Sequence, residues 1–192
     1  MNAVVRVLTQ VNEAMISEWI EIRERLSDAF SNVPRPDLNT ISIIGCCERH
    51  EQDFDWYRRH TWQEFEHASE TRGFDAADFV AIHPLAFHYF TPGVLGTAIK
   101  HLATDAEKYW HDSSWINHYI IAAYRVDEFK RQYLPLYEIK QRQAVADTLR
   151  WYQQWFLAQN GYDHDEIDDT DGTEESSGTI SETIRIVWQS ET

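Results

Sequence analysis

Apolar residues recur through this chain at helical spacing, and that recurrence constrains the fold more than any other feature. Met15, Trp19, Ile22, Leu26 and Phe30 follow one another at intervals of four, three, four and four. They form a single stripe down a helix whose other faces carry Glu18, Glu21, Arg25 and Asp28. "SNVPRP" (31–36) ends that helix, because proline removes an amide donor and restricts the residue before it. A second stripe of Val145, Leu149, Tyr152 and Phe156, widened by Ala144, Thr148, Trp151 and Trp155, predicts a long helix over about 137–159, stopped by Asn160-Gly161. Between these, residues 46–73 read as two helical pieces. Thr61 and Glu64 match a capping box, so the second piece starts at Trp62, and Gly73 suits its end. Residues 114–134 are helical in pattern, buried in their first half, and broken by Pro135.

These patterns predict a mainly α, compact multi-helix single domain with about five to seven helices. Three β-rich stretches, 3–9 ("AVVRVLT"), 40–44 ("TISII") and 183–188 ("TIRIVW"), are expected at most to add a small sheet, with 183–188 returning beside 3–9. "PLAFHYFTPGVL" (84–95) carries two prolines, each placed to begin a helix. The expectation is a tight helix–helix corner, with Leu85, Phe87, Tyr89 and Phe90 on one side and Val94, Leu95, Ile99 and Leu102 on the other. Replacing Pro92 or Phe87 should then destabilise the fold.

A chain of 192 residues with eight tryptophans can bury enough aromatic surface to fold without disulfides or metals. No apolar run reaches membrane-span length, and the N-terminus lacks a signal-peptide pattern. Cys46 and Cys47 are adjacent, too close for a normal disulfide, so they read as free thiols of a reducing cytoplasm. The net charge is −15, and ten of the 32 acidic residues follow Arg150 against one base, Arg185. Such a charge repels nucleic acid and anionic membranes and attracts basic proteins. The organisation expected is a helical domain over 1–162, an acidic mobile linker over 163–178 and a strand-like segment over 179–192.

Motifs of chemistry are incomplete throughout. "HEQDF" (50–54) begins like a zinc-protease motif but has Phe54 where the second imidazole belongs. Cys46, Cys47, His50 and His60 are the fallback zinc ligands, without the usual C-x-x-C spacing. His60, Glu64 and His67 share a helical face, yet a di-iron bundle needs a second E-x-x-H on a partner helix and none occurs. "IDDTDGTEESSG" (167–178) imitates a calcium loop but has Ile167 and Gly178 at ligand positions. No hydrolase elbow, Walker loop or dinucleotide fingerprint is present. No cofactor is expected. His83, His88 and His101 are available to line a cleft. Lys130, Arg131, Lys140, Arg142 and Arg150 alternate with Asp127, Glu128, Glu138 and Asp147, which suits a solvated face rather than a phosphate track.

The stretches "CCERHEQDFDWYRRHTWQEF", "PLAFHYFTPGVL" and "QAVADTLRWY" contain the order W-x-x-F, P-x-A-F-x-Y-F-x-P-x-x-L and Q-x-x-A-V. This order resembles a family of uncharacterised small bacterial proteins, a domain of unknown function, over about residues 46–152. The resemblance implies a mostly helical bacterial cytoplasmic protein and transfers no catalytic residues. The function expected is an acidic binding protein, such as an immunity protein that neutralises a basic protein partner. Its steering residues would be Asp163, Asp165, Glu166, Asp168, Asp169, Asp171, Glu174 and Glu175. The alternatives are a small hydrolase or metal-dependent enzyme using histidines near 50–67 or 83–101, and a scaffold protein.

Overall fold

The computed structural model describes residues 3–37, 41, 48–67, 82–105, 116, 119, 126–159 and 180–189. Helix α1 runs Ala3–Phe30, α2 Glu48–Arg59, α3 Pro84–Thr104, α4 Val126–Gln132 and α5 Ile139–Gln159. Short 3₁₀ turns occupy Trp62–Glu64 and Leu134–Leu136, and a π-helical turn covers Ile184–Trp188. The protein is a compact, mainly α multi-helix domain, with no strand among the described residues. None of these helices is long and apolar enough to cross a membrane.

Helix α3 is the centre of the assembly. Every residue from Ala86 to Ile99 is buried, the condition of a helix apolar on all sides and covered on all sides. Helix α1 packs against both α3 and α5, the turn at Trp62–Glu64 sits on α3, and the π-turn closes over α5. The stripe anticipated on α1 is the buried one, with Ile22, Leu26 and Phe30 in the core and Trp19 half-buried against it. On α5, Val145, Leu149 and Tyr152 are buried as the periodicity requires, while Phe156 is only partly covered.

Aromatic rings fill much of the interior. Phe87 meets Tyr119, Phe129 and Tyr133 at centroid distances of 4.8, 6.3 and 5.4 Å. Trp188 lies edge-on to Phe129 and Tyr137 at 5.5 and 5.3 Å. Offset and edge-to-face contacts of this kind stabilise beyond plain area burial. Thr61 begins the turn as its sequence promised: the Glu64 carboxylate accepts from the Thr61 N–H at 2.7 Å and from its hydroxyl at 3.0 Å. Those bonds, the backbone one foremost, hold the Glu64 carboxyl below its ordinary value.

Three expectations are corrected. Residues 3–9 are the first turns of α1 rather than a strand. Val4, Leu8 and Val11 prolong the Met15–Phe30 spacing, so the short alternation of "AVVRVLT" is contained in a longer helical period. Residues 183–188 are likewise helical, ending in the π-turn that buries Ile184, Val187 and Trp188. Of 40–44 only Ile41 is described. It is buried, and its carbonyl accepts the His83 N–H at 3.1 Å. The helix end at Gly73, most of 114–125, the Asn160-Gly161 stop and the segment 163–178 lie outside the described residues.

The third correction concerns the corner. Pro84 does open a helix, with His83 at its cap, but Pro92 lies inside α3 and the helix continues past it to Thr104. Proline there leaves the His88 carbonyl without its usual donor; burial on all sides outweighs that loss. The expected effect of replacing Pro92 changes accordingly. Pro92→Ala returns the donor and relieves a helix penalty of about 3 kcal/mol, while giving up two buried methylenes worth roughly 1.6 kcal/mol. The melting temperature of Pro92→Ala should therefore hold or rise, and a clear fall in a thermal denaturation scan would show that packing of the proline ring outweighs its helix penalty.

Candidate functional site

An open cavity of about 370 Å³ lies where the loop after α1 meets the starts of α3 and α5. Ala29, Val33, Pro34, Pro36, Leu85 and Leu136 give it apolar walls; Arg35, Glu138 and Lys140 are exposed at its rim. Its polar interior is His88 and Gln141, 8% and 3% exposed. That size, with apolar walls and a few convergent polar groups, is typical of small-molecule sites.

The two interior side chains fix each other. Gln141 Oε1 accepts the Glu138 N–H at 2.9 Å, and Gln141 Nε2 donates to the Ala29 carbonyl at 3.2 Å. Both backbone partners have only one possible role, so the amide cannot be reversed. His88 Nε2, 3.0 Å from the same Oε1, must therefore carry the proton. The lone pair of the neutral ring sits on Nδ1. That nitrogen has no hydrogen-bond partner among the described residues and is not one of their fully sealed polar atoms. The ring itself is held by Tyr137 at 4.5 Å and Phe30 at 5.4 Å. Burial pushes the imidazole below its ordinary value, against the opposing pull of the Gln141 bond and the Glu138 charge.

Beside the cavity a buried hydroxyl group stands apart from it. Thr91 Oγ1 donates to the Phe87 carbonyl at 2.9 Å and lies 2.7 Å from the Tyr137 hydroxyl, while the Tyr119 hydroxyl donates to it at 3.3 Å. Burial raises both tyrosines well above the ordinary phenol range, so neither serves as a base.

The other anticipated residues disperse. Cys46, Cys47 and the side chain of His50 lie outside the described residues, as do Asp163, Asp165, Glu166, Asp168, Asp169, Asp171, Glu174 and Glu175. His60 stacks on Trp56 at 4.5 Å and bonds the Trp56 carbonyl through Nδ1 at 2.9 Å. His83 caps α3, its Nδ1 accepting from the Leu85 N–H at 3.3 Å. His101 is buried farther along α3. Among the described residues, no three metal-ligating side chains come together. The basic cluster is largely committed: Arg142 donates to the Tyr137 and Leu134 carbonyls at 3.1 Å, Arg150 pairs with Asp147 at 2.6 Å, and Lys140 with Glu138 at 3.6 Å.

Charge organises two further surfaces. Glu66 is clasped between Arg23 of α1 and Lys100 of α3. Burial would raise its carboxyl, but the Lys100 hydrogen bond and the Arg23 charge outweigh that and hold it below its ordinary value. On the outer face of α1, Glu18, Glu21, Glu24 and Asp28 are exposed and have no ion-pair partner among the described residues. Ile20, 46% exposed, stands among them. Sequence reasoning placed Glu18, Glu21 and Asp28 on the outside of α1, but it missed Gln141, whose hydrogen bonds reach residues 53 and 112 positions away. Compared with known protein families, with curated proteins and with solved structures, the chain gives no match.

Proposed function

We propose that the protein acts by binding a basic protein partner, in the manner of an immunity protein, in the cytoplasm. The observation that carries this reading is the outer face of α1, where four exposed carboxylates have no ion-pair partner among the described residues and stand beside a solvent-exposed isoleucine. Arg25 shares that face but reaches toward Asp147 at 3.9 Å. Unneutralised charge of one sign, within a chain of net charge −15, accelerates encounter with a cationic surface. An apolar side chain amid the charges supplies a contact that holds once the partners meet. The acidic residues of 163–175 would extend the same field.

The test compares two variants of the full chain. One carries Glu18→Gln, Glu21→Gln, Glu24→Gln and Asp28→Asn; the other replaces the eight acids of 163–175 by Asn or Gln. Partners captured from the native lysate by the wild-type chain are identified and their association rates measured against salt. The α1 variant is expected to slow association about tenfold at low ionic strength and to flatten its salt dependence. Equal association by the α1 variant and the wild type, at every salt concentration, would remove the reading.

A further inference from the structure

We propose that the cavity at His88 binds a small hydroxycarboxylate: a compact apolar body whose hydroxyl donates to His88 Nδ1 and whose carboxylate meets Arg35 and Lys140 at the rim. This site is separate from the outer face of α1, and its test is independent of any protein partner.

Three features of the cavity select that chemistry. The interior asks for a donor. Gln141 holds the proton of His88 on Nε2, so the remaining ring nitrogen of this cavity-lining residue is an acceptor with no partner among the described residues, and a bare anion pressed against that lone pair would be repelled. Histidine buried in this way is satisfied when a ligand hydroxyl supplies the proton. The walls ask for an apolar body, since six of the lining residues are aliphatic, alanine or proline. The rim asks for an anion. Lys140 is balanced by Glu138, but Arg35 has no carboxylate within ion-pair distance among the described residues. Its guanidinium donates one bond to the Arg58 carbonyl at the end of α2 and keeps further N–H donors. A rim of net positive charge is unusual on so acidic a protein, and it opposes the repulsion that would otherwise turn an anion away.

Calorimetric titration of the full chain with 4-hydroxyphenylacetate, phenylacetate and 4-methylphenol separates these requirements. The hydroxycarboxylate is expected to bind at one site. Phenylacetate should bind about tenfold more weakly, because it leaves the buried acceptor unpaired. For 4-methylphenol the loss should be smaller, about three- to fivefold, because exposed cations are screened by water. Leu85 is 41% exposed on the cavity wall, so Leu85→Trp should abolish binding without lowering the melting temperature. His88→Phe should erase the preference for the hydroxyl, making the two carboxylates equivalent. Absence of binding by 4-hydroxyphenylacetate, equal affinity for phenylacetate in the wild type, or undiminished binding to Leu85→Trp would each overturn the assignment.

Discussion

Gly93→Ala should lower the melting temperature by roughly 6–12 °C, corresponding to about 3 kcal/mol. A Cβ at Gly93 would lie 2.4 Å from the Trp62 carbonyl oxygen and 2.9 Å from Phe65 Cβ. Neither neighbour can yield cheaply. The Trp62 carbonyl belongs to the backbone of the turn capped by Thr61 and Glu64, and Phe65 is fully buried. The missing side chain is what lets that turn lie directly on α3. Gly96, one turn along, provides the control. A Cβ there meets Arg23 Cγ at 3.3 Å, part of a flexible side chain. Alanine gains up to about 1 kcal/mol of helix propensity over glycine, which roughly offsets a small shift of Arg23. Gly96→Ala should stay near the wild-type melting temperature. If both variants melt alike, close approach of the turn is not what Gly93 provides.

Much of this architecture was legible in the sequence, because it rests on local patterns. The stripe from Trp19 to Phe30, the Thr61–Glu64 box and the proline at 84 each act within a few residues, and each appears where the spacing put it. The failures share a cause. "AVVRVLT" and "TIRIVW" are short β-branched runs with weak preferences of their own; the first is taken up into the longer period of α1, and the second packs against α5. Pro92 was read as a boundary because isolated helices avoid proline, whereas a helix buried on every side can retain it. The cavity was legible only in part. His88 stood out as a histidine among aromatics, and Lys140 as one of a basic cluster. Gln141 carries no chemistry by composition, and only its three bonds, two of them to distant segments, reveal what it does.

Those three bonds make Gln141 the second position of large expected effect. Gln141→Leu conserves approximate volume but strands the Ala29 carbonyl and His88 Nε2–H in the interior, a loss of about 3 kcal/mol, or roughly 6–12 °C. Gln141→Glu is the more discriminating variant. Its carboxylate still accepts from the Glu138 N–H and His88 but gives the Ala29 carbonyl no donor, so it too should be less stable near neutral pH. The two chains should differ in the direction of their pH dependence. In the wild type the folded His88 lies below its ordinary 6.5. Its contribution is full above 6.5 and is lost as the pH falls through that value toward the lower folded one. A carboxylate against Nε2 favours imidazolium and raises the folded value above the unfolded one. The contribution is then full below 6.5 and lost as the pH rises through the folded value. The Glu138 charge, which favours the imidazolium, and the rim residues Arg35 and Lys140 are common to both proteins. Tyr137 stays protonated throughout. The melting temperature of Gln141→Glu should therefore gain on that of the wild type as the pH falls from about 8 to about 5. A difference that stays constant across that range would show that Gln141 does not set the protonation of His88.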